Sequence, residues 1–102
     1  MRRPYFIIVQ LKGSAMGWPI FTTTPIGPSV AVFTTAFRAE QFRRGLKFGP
    51  EWRIAKFKFA ELRKWLLHNK TIGIARVLVD PQPEEGLSKA ADISDIIELF
   101  SH

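Results

Sequence analysis

Two histidines, a run of three threonines, a pair of adjacent glutamates and one arginine inside an apolar run are the residues of this 102-residue chain whose types could do chemistry. His68 falls near the end of an anticipated helix, where the last carbonyls favour a cation, and His102 is the terminal residue. Nucleophilic catalysis would need a hydroxyl beside a base, yet there is no G-x-S-x-G turn, and Thr22-Thr23-Thr24 reads as strand or turn. Glu84 and Glu85 are neighbours in a Pro/Gly-rich stretch, which makes a solvated acidic patch rather than a facing acid/base pair. The GSAMG segment at 13–17 lacks both the lysine of a phosphate-binding loop and the spacing of a dinucleotide fingerprint. With no Cys, no HExxH and no EF-hand loop, thiolate chemistry, disulfides and the common metal sites have no ligand pattern. The expectation is a non-enzyme with no catalytic, cofactor-binding or metal-binding residues and no cofactor.

Charge is the stronger signal. Residues 1–79 hold fourteen Lys/Arg against Glu40, Glu51 and Glu61, whereas from Asp80 onward six acids face Lys89 alone, within a net charge of +6. A basic body with an acidic C-terminal segment (80–102) points to an acidic partner or to a tail that folds back on its own body. Arg43, Arg44, Lys47, Lys56, Arg63 and Lys64 form the candidate basic partner face. Because Phe42, Phe48, Trp52, Phe57, Phe59 and Trp65 are interleaved with them, nucleic acid is the alternative partner, through the basic face of residues 38–76. Against it, Phe42, Phe59 and Trp65 fall on apolar helix faces and no RNP1 pattern occurs. Arg76 is the odd charge, a candidate buried or groove residue that needs an acid, a place at a strand edge or a ligand.

Positioning these residues requires a small set of elements. Tyr5–Lys12 is dense in β-branched and aromatic residues and stops at Gly13, so it reads as a strand inside a sheet. Breakers surround 18–24, which suits a short edge strand, and 29–34 (SVAVFT) is a further strand. Thr34 or Thr35 caps a helix carrying Ala39, Phe42 and Leu46 on one side. A strand over 52–58 leads to a second helix from Phe59, with Leu62, Trp65 and Leu66 inward and Asn69 as terminator. Lys58 is a poor cap for it, so fraying or a distant partner is expected there. The run 72–79 (IGIARVLV) predicts a central strand covered on both faces. In the tail, Ile93, Ile96, Ile97 and Phe100 behind Asp92 predict a short amphipathic helix. Too short to stand alone, it must rest on this domain or on a partner. The predicted class is mixed α/β (α+β): four to five strands flanked by two to three helices, in the order β-β-β-α-β-α-β-α.

Three segments resemble the N-terminal domain of SseB-type proteins, the bacterial family named for enhanced serine sensitivity. Ala31-Val32-Phe33-Thr34-Thr35 running into a helix is similar to the family's P-V-F-T-S, and Phe59-Ala60-Glu61-Leu62 to its S-F-x-E-L. Gly73-Ile-Ala-Arg-Val-Leu-Val-Asp80-Pro81 is similar to its G-hydrophobic-x-x-N-P strand end. Lys58 stands in place of the cap Ser and Asp80 in place of Asn, and there is no room for the C-terminal domain of longer members. The resemblance spans roughly residues 5–100 and implies a fold and a bacterial origin; it supplies no active site, because the family has no established reaction.

One domain over 1–102 fits the length, which suffices to bury roughly 60–70% of the unfolded surface. No apolar run approaches the roughly 20 residues of a membrane span and no signal-peptide pattern follows Arg2 and Arg3, so no membrane partner and a cytoplasmic location are expected. The anticipated function is a protein-binding or regulatory module, with an unknown acidic protein as partner. Trp18, Ile20 and Phe21, in a Pro-flanked edge segment, are the candidate self-association surface of a homodimer. The acidic tail is a candidate clamp over the basic face.

Overall fold

The computed structural model describes residues 3–12, 15–23, 27–82 and 90–101. The GS of GSAMG, Thr24, Glu84, Glu85, Lys89 and His102 lie outside these residues.

Strand periodicity organises the molecule. In β1 (Tyr5–Lys12) Ile7 and Val9 point to one face and Ile8 to the other. In β4 (Gly27–Val32) Val30 and Val32 oppose Ala31, and in β6 (Arg76–Val79) Val77 opposes Leu78. All of these side chains are buried, so the apolar runs are nearly continuous because both faces are covered. One face carries α2 (Phe59–Thr71) and α3 (Ile93–Phe100), through Leu62, Trp65, Leu66, Ile93 and Ile96. The other carries α1 (Ala36–Gly45), through Ala39 and Phe42.

The strands form two sheets. The first has the order β2-β1-β5, with β2 (Ala15–Gly17) and β5 (Trp52–Phe57) antiparallel to β1. The second runs β3-β4-β6-β7, with β3 (Phe21–Thr23) and β7 (Ala90–Asp92) at its edges and β4 parallel to β6. Among the described residues a single bridge joins them: Phe6 and Phe33 exchange two backbone hydrogen bonds of 2.8 Å. The mixed α+β class is as expected, and β2 and β7 add two short strands to the anticipated order.

Local signals explain the helix starts. The Thr35 hydroxyl accepts from the Arg38 N–H (3.1 Å), and Asp92 Oδ1 accepts from the Ser94 N–H (2.8 Å). At Lys58 the structure differs from the expected fraying: Glu61 Oε1 accepts from the Lys58 N–H (2.9 Å), so the third helical residue provides a local partner. The tail helix rests on this domain. Ile93 and Ile96 are buried, and the Phe100 ring stacks on Tyr5 at 4.7 Å between centroids.

Three expectations are corrected by how the helices end. Leu46 is 40% exposed because it is the C-cap of α1, beyond the buried stripe. Asn69 does not terminate α2 with its side chain, which lies wholly buried inside the helix. The stop comes instead at Gly73, in the left-handed region (φ 96°), where the Ile74 N–H reaches the Asn69 carbonyl (2.9 Å) and the Gly73 N–H reaches that of Lys70 (3.2 Å). That turn takes up the first part of the run 72–79, so the strand begins at Arg76 and Ile72 is 55% exposed.

Candidate interaction surface

The candidate basic face divides when the chain folds. α1, with Arg43 and Arg44, covers one face of the sheet; α2, with Arg63 and Lys64, covers the other. Lys56 is exposed on β5, and Lys47 follows α1. On α1 the cations already have an anion. Arg43 Nε donates to Glu40 Oε2 (3.0 Å), its Nη2 donates to Oε1, and Arg44 Nε donates to the same Oε1 (2.9 Å). Arg43 Nη1 also reaches the Phe48 carbonyl (3.3 Å), fastening the loop beyond the helix.

These contacts tune the carboxylate. The Arg43 hydrogen bond, joined by that of Arg44 and by both positive charges and opposed by partial desolvation, lowers Glu40 to about 2. Arg43 is raised in turn, first by its hydrogen bond to Glu40. Glu40 thus stays ionised and offsets one of the two positive charges of the Arg43–Arg44 pair at any ordinary pH.

β5 presents a different arrangement. It is an edge strand, paired to β1 and with no second neighbour among the described strands. Arg53 and Lys56 are exposed along it, and Lys58 is exposed just beyond its end. Surface cavities lie toward its two ends: one is lined by Arg3, Pro4, Lys56, Lys58, Phe59 and Ala60, and the other by Phe48, Pro50, Trp52, Arg53 and Ile54 together with the paired Glu40 and Arg43. The first contains three cations and no acid. Alternation sends Arg53 and Lys56 to opposite faces, so only the open edge unites Arg53, Lys56 and Lys58.

The self-association trio does not form one exposed patch. Trp18 is half-buried, edge-on to Trp65 (5.5 Å) and His68 (6.0 Å), with its Nε1 donating to Asn69 Oδ1 (2.9 Å). Phe21 packs edge-on to Phe42 (5.7 Å), leaving Ile20 exposed. Leu11 and Met16 are both exposed, and only the β1–β2 pairing brings them together as cross-strand partners. Arg76 is exposed at the first position of β6, opposite Asp92 in register, so it is not a buried charge.

Asp80 ties two elements together. Its Oδ1 accepts from the Thr34 N–H (2.8 Å), its Oδ2 accepts from the Thr34 hydroxyl (2.7 Å), and Arg38 lies 3.6 Å away. The carboxylate thereby joins the end of β6 to the entry of α1. The Thr34-Thr35 motif and the Asp80-Pro81 motif were visible separately; their meeting requires β4 and β6 to lie side by side.

His68 is exposed and its ring faces Trp18. Among the described residues no three His, Cys, Asp or Glu side chains gather as metal ligands would, and no helix is long and apolar enough to cross a membrane. A scan against models of protein families and a search of curated proteins find no match to this chain.

Proposed function

We propose that this chain is a small, non-enzymatic bacterial module of the SseB N-terminal kind that acts by binding another protein, and that the open edge of β5 is where it binds. The observation that carries this reading is the contrast in cation pairing: Arg43 and Arg44 share Glu40, while Arg53 and Lys56 on β5, and Lys58 just after it, stand exposed beside the open edge of that strand. An acidic protein segment meets both the charge and the backbone of that edge. The three segments that resemble the SseB family hold structural positions here, the β4–α1 entry, the start of α2 and the end of β6, which fits a shared scaffold. Nucleic acid is the weaker reading, since Phe42 and Trp65 are core residues and offer no stacking platform, and the cations lie on opposite faces.

Titration of nitrogen-15-labelled protein with an acidic octapeptide and with an oligothymidine of equal charge tests the choice. The peptide is expected to shift the amides of residues 53–58 and leave those of α1 and α2 nearly still. Tighter binding of the oligothymidine, with shifts across both helices, would overturn the proposal in favour of nucleic acid.

A further inference from the structure

The hydrogen-bond parity of β5 gives that edge a mode of recognition. Phe6 exchanges its backbone bonds with Phe33, so opposite Lys56 it makes no bonds, and Phe6 and Lys56 are a non-hydrogen-bonded pair. The bonds of the β1–β5 ladder must then run through Tyr5 with Phe57, Ile7 with Ala55 and Val9 with Arg53. The N–H and C=O groups of Ile54 and Lys56 consequently point away from β1, to the open side. Trp52 differs, since its N–H is taken by the Gly49 carbonyl (3.1 Å).

Resting on the protein-binding reading, we infer that β5 binds by strand addition: an extended acidic segment of a partner protein pairs its backbone with Ile54 and Lys56 and sets carboxylates beside Arg53, Lys56 and Lys58. Side chains of an added strand alternate between faces. Those on the α1 side meet Trp52 and Ile54 and the cavity they share with Phe48 and Pro50, so apolar residues fit at alternate positions of the segment. Those near the far end meet the cavity that holds Arg3, Lys56 and Lys58 without an acid. A second copy of β5 is a poor occupant, because it would bring Arg53 and Lys56 of two chains together as like charges.

The probe is an octapeptide of alternating Glu and Val, followed by isothermal calorimetry and by hydrogen exchange. Lys56→Gln removes one cation and keeps the N–H; it should weaken binding by about 2–5-fold, the effect of one surface ion pair. Lys56→Pro removes the outward N–H as well, at a position where proline is tolerated because that group faces solvent. It should weaken binding by roughly a further 10-fold, and the amides of Ile54 and Lys56 should gain protection in the wild-type complex. Should the proline variant misfold, the same octapeptide N-methylated at alternate residues makes the equivalent test on wild-type protein and should bind about 10-fold more weakly.

Equal affinity of Lys56→Gln and Lys56→Pro, or of the plain and methylated peptides, would overturn strand addition while leaving a charge-driven protein-binding edge in place. Wild-type protein that ignores every acidic peptide would overturn the protein-binding reading itself. A dimer in light scattering that Lys56→Pro dissolves would assign the edge to a second copy instead.

Discussion

The C-terminal ends of α1 and α2 have the same backbone and opposite chemistry. In both, the residue after the cap is left-handed and the next two N–H groups turn back to the helix carbonyls: Phe48 to Arg43 (3.0 Å) and Lys47 to Arg44 (3.1 Å) in α1, Ile74 to Asn69 and Gly73 to Lys70 in α2. In α2 the left-handed residue is Gly73, and the end is anchored by a buried neutral network in which Asn69 accepts from Trp18 Nε1 and donates to the Trp65 carbonyl (2.8 Å). In α1 the left-handed residue is Lys47 (φ 59°), and the end is held by the Glu40–Arg43–Arg44 charges on the surface. A single geometry is thus secured once by burial and once by charge, and the two should answer differently to mutation, salt and pH.

The largest test of this contrast is Asn69→Ala. It leaves the Trp18 indole N–H without its acceptor and opens space in the core, so unfolding in urea should show a loss of about 2–3 kcal/mol, insensitive to salt. A loss that fades in high salt would mean that the buried network is not what holds α2.

Next comes the pair of reciprocal changes at the turn residues. A Cβ added at Gly73 would meet nothing within 4 Å, so Gly73→Ala carries the left-handed penalty alone, about 1–2 kcal/mol. Lys47→Gly removes the same penalty and should stabilise the protein by up to about 1 kcal/mol. If both variants destabilise, the side chain of Lys47 contributes a contact that outweighs its backbone strain.

The smallest effect concerns pH. Glu40 is lowered to about 2 in the folded protein, so it binds a proton less readily folded than unfolded. Its contribution is therefore complete above the ordinary carboxylate range and is lost as pH falls through the range down to about 2. Carbon-detected titration should find the Glu40 carboxylate still ionised at pH 3, and Arg43→Gln should return it toward the ordinary range. A Glu40 midpoint near 4 in the wild-type protein would break the α1 side of the comparison.

Much of the architecture was legible because it rests on short-range rules. The β-branched and aromatic density of β1, the apolar density of β4, the Thr35 and Asp92 caps and the inward stripe of α2 each depend on neighbours a few residues away. Less of the candidate site was legible. Lys56 was named, but Arg53 and Lys58 were not, and Arg43 and Arg44 counted as available cations although Glu40, three and four residues earlier, was there to pair them. That pairing is legible at helical spacing, which a regional sum of charge does not show. Asn69 shows the opposite case: nothing near it in sequence announces Trp18, fifty-one residues away, as its partner.

By itself the sequence determined the class of fold, the positions of most elements, the amphipathic tail helix and the excess of positive charge, because period, capping and composition are properties of neighbouring residues. Only the tertiary structure decided that α1 and α2 cover opposite faces and divide the basic residues, that Asp80 reaches Thr34, that Trp18 packs against the core, and that β5 ends the sheet with the N–H and C=O groups of Ile54 and Lys56 turned outward. The physical reason is that pairing and burial are long-range: a strand becomes an edge, and a charge becomes free or neutralised, only through what the rest of the chain places beside it.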